Sequence, residues 1–455
     1  MPPPSDPGTR LPLEGRAACP QAAAGAVRTP RPTSFRTDHA LKPLLPRRVV
    51  ITGVGIATAL GFELDEFWRR LLAGESGIHR LPGLPDDSPL PAKIAGRIDD
   101  LLLTRALAHW NLEDPDRANQ LALLVVASAL ADAGLPTDGA AALDCDLVVG
   151  TGHGNTAFHN EAVTTFLQRG YRKLRPTSVV RSMFNRPANL ASIRFRLTGA
   201  SFVVSCACAT GAIALTDAFQ RVRFGLADLA IAACADTGLD LPTFSAWNRL
   251  GVLSRNPDPA TACRPFDAAR DGLVMGEGAA AFVLETHEGA QARGATIHGE
   301  VLGAGASCDA KHIVQPDSAG QVKAVRKALA MAGIPPAQLD YINAHGTATD
   351  IADVVEAATL RDVLGPDADR IPVSNTKAQL GHLLGATAGV ELVVTLLAMR
   401  HNLLPPCRNL DHPDPRCRLA FVRGEPLPTR VRYALKNTFA FGGSNCAVVL
   451  GPPPV

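Results

Sequence analysis

The sequence predicts a layered α/β fold, and three observations carry that prediction. Short apolar runs with β-branched residues, such as Val49-Val50-Ile51 and Leu147-Val148-Val149, alternate with stretches of helical periodicity. From Tyr341 onward the second half repeats the same grammar of strand, polar loop and helix, as layered α/β folds do. The 455 residues are 46% apolar and 19% charged, enough for a large core and two or three domain-sized units.

Residues 1–45 are rich in Pro, Arg, Ala and Thr, lack periodicity, and are expected to form a disordered extension without function. Order should begin at Arg47–Gly55, a buried strand with a Gly-rich turn. Its glycines fall at 53, 55 and 61, so the third is misplaced for a dinucleotide fingerprint, and a nucleotide site is not expected. Helices are expected over Glu63–Ala73, with Phe67, Leu71 and Leu72 on one face, and over Asn119–Ala133. In the second, Leu121, Leu124 and Val125 share a face and Gly134 ends it. Ser128 can stay on that face by bonding the carbonyl one turn back.

Asp146–Gly150 is a buried strand, and Gly150–Asn155 is a loop able to approach a ligand closely. A short helix follows over Asn185–Phe195. Ser201–Val204 then reads as a strand and Ala212–Phe224 as a helix capped by Gly225, with Cys208 where one turns into the other. A thiol at a helix N-terminus should ionise more readily than the free value of about 8.5. Asp228–Cys234 is a further strand. Ala279–Glu285 and Thr296–Leu302 read as adjacent antiparallel strands. In the second half strands are expected at Tyr341–Asn343, Ile371–Ser374, Arg432–Thr438 and Cys446–Leu450, and helices at Asp353–Leu364 and Gly385–Met399. The chain therefore divides into 1–45, 46–295 and 296–455, although identity between the halves is too low to establish a repeat from residues alone.

Net charge is +2, against bulk nucleic-acid binding. The ten cysteines show no zinc-knuckle spacing, and no secretory signal is read, so reduced thiols in the cytoplasm are expected. No apolar run of about 18 residues is read, so no transmembrane helix is expected.

Reactive side chains sit at four loop ends. They are Cys208; His345 in Asn343-Ala344-His345-Gly346-Thr347-Ala348-Thr349; Lys377 in Ser374-Asn375-Thr376-Lys377; and His382 in Gly381-His382-Leu383-Leu384-Gly385. A cysteine with histidines fits acyl transfer through a thioester. The same set can also bind a metal, but no second thiolate or carboxylate sits at ligand spacing, so none is expected. A lysine buried in such surroundings needs a carboxylate partner.

Taken with Val50-Ile51-Thr52-Gly53, Arg264-Pro265-Phe266-Asp267, Arg270-Asp271-Gly272, Gly276-Glu277-Gly278-Ala279 and Phe439–Asn445, these motifs resemble the elongating β-ketoacyl-[acyl-carrier-protein] synthases of the thiolase superfamily. The likeness runs from about Arg47 to Leu450. It implies a thiolase-like five-layered αβαβα fold built from two similar halves, and decarboxylative Claisen condensation of malonyl-carrier protein with an acyl group on Cys208. It implies that His345 and His382 donate to the malonyl thioester carbonyl and stabilise the enolate. Lys377 would be held by Glu356 and order the site. Backbone N–H groups of Cys208 and Phe441 would form the oxyanion hole. Phe441, with Phe439 beside it, would gate the acyl chain, and Thr347 and Thr349 would bond the pantetheine arm. Arg264, Asp267 and Asp271 look structural. Both histidines should be neutral Nε–H donors, because a charged imidazole would hold the malonyl carboxylate that must leave as carbon dioxide.

The resemblance implies an acyl carrier protein as partner, with Arg69, Arg70, Arg117 and Arg249 as candidate contacts, and a homodimer with Ser201–Val204 near the two-fold axis. No cofactor is implied beyond the carrier's 4'-phosphopantetheine. Three positions depart from the family. Thr349-Asp350-Ile351-Ala352-Asp353 replaces Thr-Pro-x-Gly-Asp, Ala440 replaces the glycine before the gate, and His153 stands where an apolar residue borders the acyl pocket, a region to which Trp247 is also assigned. A polyketide or aryl-polyene type synthase therefore fits as well as a fatty acid enzyme. The competing readings are a non-catalytic chain-length-type partner in a heterodimer, which would usually lack the cysteine, and a coenzyme A thiolase, whose motifs would differ.

Overall fold

The computed structural model describes residues 46–85 and 87–454, so the extension expected over residues 1–45 lies outside the described residues. The first half contributes β1 (Val49–Ala57), β2 (Asp146–Gly150), β3 (Ser201–Val204), β4 (Leu229–Asp236) and β5 (Gly278–Thr286). The second contributes β6 (Gly299–Cys308), β7 (Tyr341–Asn343), β8 (Pro372–Ser374), β9 (Ala434–Phe439) and β10 (Ser444–Gly451). Their spatial order is β3-β2-β4-β5-β1 followed by β6-β10-β9-β7-β8, with the two-residue strand Ala420–Phe421 added outside β8. Each half thus runs third, second, fourth, fifth, first. Each also has the same pairing sense, parallel among its outer three strands and antiparallel among its inner three. The repeat that residues alone did not establish is visible in strand order. The halves meet through two residue pairs, Val50 with Glu300 and Ile51 with Gly299.

Ala279–Glu285 and Thr296–Leu302 are therefore not neighbours, as the sequence reading had them. β1 lies between them and pairs antiparallel with both. A strand that enters from 230 residues away leaves no trace in the local pattern of its future neighbours.

The helices that frame the sheet are α1 (Arg117–Asp132), α2 (Thr156–Arg169), α3 (Arg186–Phe195), α4 (Thr210–Arg223), α5 (Leu241–Leu250), α6 (Ser318–Ala332), α7 (Asp350–Leu364) and α8 (Thr387–His401). α1 and α3 cover the outer face of the first half, and α6 and α7 cover that of the second. α4 and α8 fill the middle and belong to one continuous apolar cluster with both halves. Five layers result. In α1, the Ser128 hydroxyl donates to the Leu124 carbonyl at 3.0 Å, as its place on the apolar face requires.

Two close approaches fix this packing. A Cβ at Gly53 or Gly55 would lie 2.2 Å from a carbonyl oxygen of α1. Those glycines serve helix-on-strand contact. A Cβ at Gly211 would lie 2.7 Å from the Gly389 nitrogen, so α4 and α8 meet backbone to backbone. That contact brings the two loops that precede these helices together. One carries Cys208 and the other His382.

α8 is buried from Thr387 to Met399. With the turn before it, Leu384–His401 is long and apolar enough by composition to cross a membrane, contrary to the expectation of no such run, but it is the central helix of the core. Its apolar character on every side follows from having sheet or helix around its whole circumference.

Candidate active site

β3 ends at Val204, and the chain turns through Ala207 at φ 46° before α4 begins at Thr210. The left-handed conformation of a non-glycine residue costs roughly 1–2 kcal/mol. Thr210 holds the turn, its hydroxyl donating to the Ala207 carbonyl at 2.6 Å and accepting the Cys206 N–H at 2.8 Å. Among the other non-glycine residues at positive φ, Phe266 (65°), Ala348 (64°) and Leu384 (53°) lie in segments that flank the site.

Cys208, His345 and His382 are all buried, and the Cys208 Sγ and one ring nitrogen of each histidine lie within 4.8 Å of one another. The two rings meet edge to face, with centroids 5.6 Å apart. His382 Nδ1 accepts the Leu384 N–H at 3.0 Å and lies 2.8 Å from the Thr387 hydroxyl. Nδ1 is therefore the lone-pair nitrogen, and the proton sits on Nε2. Neither ring nitrogen of His345 has a hydrogen-bond partner among the described residues. Burial, then the positive charge of Lys377 and Lys436, holds both imidazoles well below the usual histidine range. Both rings are neutral at physiological pH, the state that enolate stabilisation needs.

The thiol behaves differently from the expectation. Burial pushes Cys208 up to about 11, and Lys377 and the Phe441 N–H only partly oppose it. The helix terminus favours a thiolate, but desolvation wins in a site this closed.

Lys377 is not held by Glu356. Its ammonium bonds the His345 carbonyl and lies 2.6 Å from Glu391 of α8. Glu356 lies instead beneath the His345 loop and accepts the N–H groups of His345 and Gly346, each at 2.7 Å. The sequence reading missed Glu391 and Lys436. Glu391 also lies 2.7 Å from Lys436, which donates to the Asn437 carbonyl at 2.5 Å. All three charges are buried. The signal was available: Glu391 is the lone charge within the run Gly385–Met399, and Lys436 occupies an inward position of an apolar strand. The same carboxylate serves both ammonium groups. The three converging donor atoms of Cys208, His345 and His382 have a metal's spacing, but these two cations repel a divalent ion.

The cleft above the three residues is lined by Trp247, Thr347, Thr349, Phe439, Ala440 and Phe441, among others. The Thr347 and Thr349 hydroxyls bond each other at 2.9 Å. α7 starts at Asp350, three residues earlier than expected, so an acidic residue holds the first helical position, where a proline is also at home. Asp353 accepts the Thr347 and Phe266 N–H groups and, through burial, is raised to about 7. Ala440 is extended at φ −116°, so its side chain costs nothing here, and Gly442 (φ 79°) and Gly443 (φ 74°) supply the turn. Phe439 packs against His345, with centroids 6.3 Å apart, rather than against Phe441. Phe441 stacks on Trp247. His153 is not among the residues that line the cleft, and its hydrogen bond to the cleft is to Trp247.

Asp267 and Asp271 accept backbone N–H groups, and Arg264 lies 3.4 Å from Asp411, all structural roles. Of the four candidate carrier contacts, Arg117 is committed to Glu277 and Asp100, and Arg70 to Glu75. Arg69 and Arg249 remain exposed.

Residues 46–290 match the model of the β-ketoacyl synthase N-terminal domain, and residues 298–411 that of the C-terminal domain. A curated relative, the 3-oxoacyl-[acyl-carrier-protein] synthase 2 of Coxiella burnetii, is 36% identical over 409 residues, covering 89% of this chain and 98% of that one. Among solved structures, the ishigamide ketosynthase/chain length factor superposes with a TM-score of 0.82 at 32% identity, covering 90% of this chain and 99% of that one. A type II polyketide ketosynthase in complex with its acyl-carrier protein gives 0.82 at 26% identity, covering 90% and 100%.

Proposed function

The chain belongs to the β-ketoacyl synthase family, and on that premise we propose that it is an elongating 3-oxoacyl-[acyl-carrier-protein] synthase. The observation that carries this is the convergence of one thiol and two neutral imidazoles within 4.8 Å at the floor of a cleft. Cys208 Sγ attacks the carbonyl of an acyl thioester. The new C–S bond forms as the carrier's C–S bond breaks, and the pantetheine thiol leaves with the proton. A malonyl thioester then binds with its carbonyl oxygen between His345 and His382. Its C–COO⁻ bond breaks, carbon dioxide departs, and the electron pair passes into an enolate held by the two N–H donors. The enolate carbon attacks the acyl-Cys208 carbonyl. Its oxyanion accepts the Cys208 and Phe441 N–H groups, and collapse expels the cysteine sulfur.

Lys377, through Glu391 and the His345 carbonyl, fixes the first imidazole's loop. Thr347 and Thr349 bond the pantetheine arm, and Phe441 gates the acyl chain. The partners are an acyl carrier protein and a second ketosynthase subunit, identical or homologous, and no cofactor is required beyond the carrier's phosphopantetheine. The nine described cysteines are all free, which fits a reducing, cytoplasmic compartment. Incubation with acyl-carrier protein should add one acyl mass to the intact chain, localised to Cys208. Adding malonyl-carrier protein should then convert it to 3-oxoacyl-carrier protein. A chain that takes up no acyl group while a co-purified ketosynthase does would be the silent partner instead.

A further inference from the structure

We propose that His153 and Trp247 form a hydrogen-bonded latch that holds the Phe441 ring in place and so determines which acyl chains reach Cys208. Trp247 has a partner on either side. Its indole N–H donates to His153 Nε2 at 3.2 Å, and its ring stacks on Phe441 with centroids 5.9 Å apart and 18° between the planes. Behind His153 lies Asp236, fully buried, 3.4 Å from His153 Nδ1. The Asp236 carboxylate is itself fixed by the N–H groups of Gly152 (3.0 Å), His153 (3.1 Å) and Gly385 (2.8 Å). An indole can only donate, so Nε2 is the lone-pair nitrogen and Nδ1 carries the proton toward Asp236. The backbone after Phe441 is held from the far side, where Gly442 N–H donates to the Ile313 carbonyl at 2.7 Å. The Phe441 ring thus owes its position to Trp247, and Trp247 to His153.

This inference rests on the reading of Phe441 as the acyl gate. A chain that enters must unstack Phe441 from Trp247, and the indole N–H bond resists that movement. His153 and Trp247 act through Phe441 and are positioning residues. The latch also has a proton-controlled release. A second proton on His153 faces the indole N–H with another N–H, and the bond is lost. Burial disfavours that charge, but Asp236, with Asp240 behind it, outweighs burial and raises His153 above the ordinary 6.5. His382, the other titratable neighbour, is neutral.

Trp247→Phe keeps a stacking ring and removes the N–H. Long-chain acyl-carrier protein should then acylate Cys208 faster relative to acetyl-carrier protein, by about fivefold, the factor one neutral hydrogen bond commonly carries. Unchanged selectivity would overturn the latch. Independently of any acyl transfer, the fluorescence contributed by Trp247, taken as wild type minus Trp247→Phe, should titrate with a midpoint above 6.5. That titration should vanish in His153→Gln. A flat profile, or one that survives His153→Gln, overturns the latch. If no acyl-carrier protein acylates Cys208, the enzymatic reading fails while the fluorescence titration still judges the latch.

Discussion

At the scale of single residues, the site trades reactivity of the resting thiol for exclusion of water. With Cys208 pushed up to about 11, alkylation by iodoacetamide, which reads the thiolate, should keep climbing through pH 9 and 10 without a plateau. Lys377→Met removes a charge that lowers the thiol, so alkylation should slow further at every pH. A plateau near pH 7–8 would mean that the helix terminus outweighs burial. His382 is the histidine whose tautomer the protein fixes, through the Leu384 N–H and Thr387. His382→Ala should therefore lower carbon dioxide release from malonyl-carrier protein by about 10²–10³-fold, the usual cost of one oxyanion donor, while acylation of Cys208 persists. Decarboxylation assays and intact mass separate the two effects. All four reactive side chains were legible in the sequence, because each sits beside glycine or small residues in a loop or at a helix end. The ionisation of Cys208 was not, because burial depends on residues contributed from distant elements.

At the scale of elements, α8 carries the charge balance of the site. Alternation along β9 turns Ala434, Lys436 and Thr438 toward the middle layer, where Glu391 waits between two ammonium groups. Glu391→Gln leaves two buried cations without their shared carboxylate and should destabilise the fold by about 3–5 kcal/mol. Lys436→Met keeps the Lys377–Glu391 pair and should cost less, which chemical denaturation checks. The pH sign can be isolated as well. Burial lowers Lys436 from 10.5 to about 8, so between those values the unfolded chain binds the proton and the folded chain has lost it. Wild-type stability should therefore rise relative to Lys436→Met from about pH 8 to 10.5. A difference that falls over that window would place the shift in the opposite direction. Most of the expected helices and strands lie within about three residues of their places, as the early start of α7 at Asp350 shows, but β6 runs on to Cys308, past the expected end at Leu302, and α2, α5 and α6 were not expected. Partnership was not readable. The resemblance that paired Lys377 with Glu356 does not show that α7 enters from below the His345 loop, whereas α8 enters from the middle layer.

At the scale of the whole molecule, equal strand order in the two halves has an unequal consequence. The first strands, β1 and β6, meet at the centre, and the third strands, β3 and β8, lie at the edges. On the β8 side, Ala420–Phe421 pairs along the edge. On the β3 side no described strand does so, and all four residues Ser201–Val204 are only half-buried. α3 packs beside β3 and exposes Ile193 (75%), and the segment before it exposes Phe184 (53%) and Val179 (64%). An open strand edge flanked by apolar side chains is an aggregation hazard unless another chain covers it. The second subunit that the family resemblance implies, related by a two-fold axis near Ser201–Val204, would cover both at once. Ile193→Glu combined with Phe184→Glu touches nothing in the core. It should convert a species of twice 47.7 kDa into single chains by light scattering, with helix content retained. A wild-type chain that is already monomeric, or a double variant that stays dimeric, would mean that this edge is closed by something other than a second subunit.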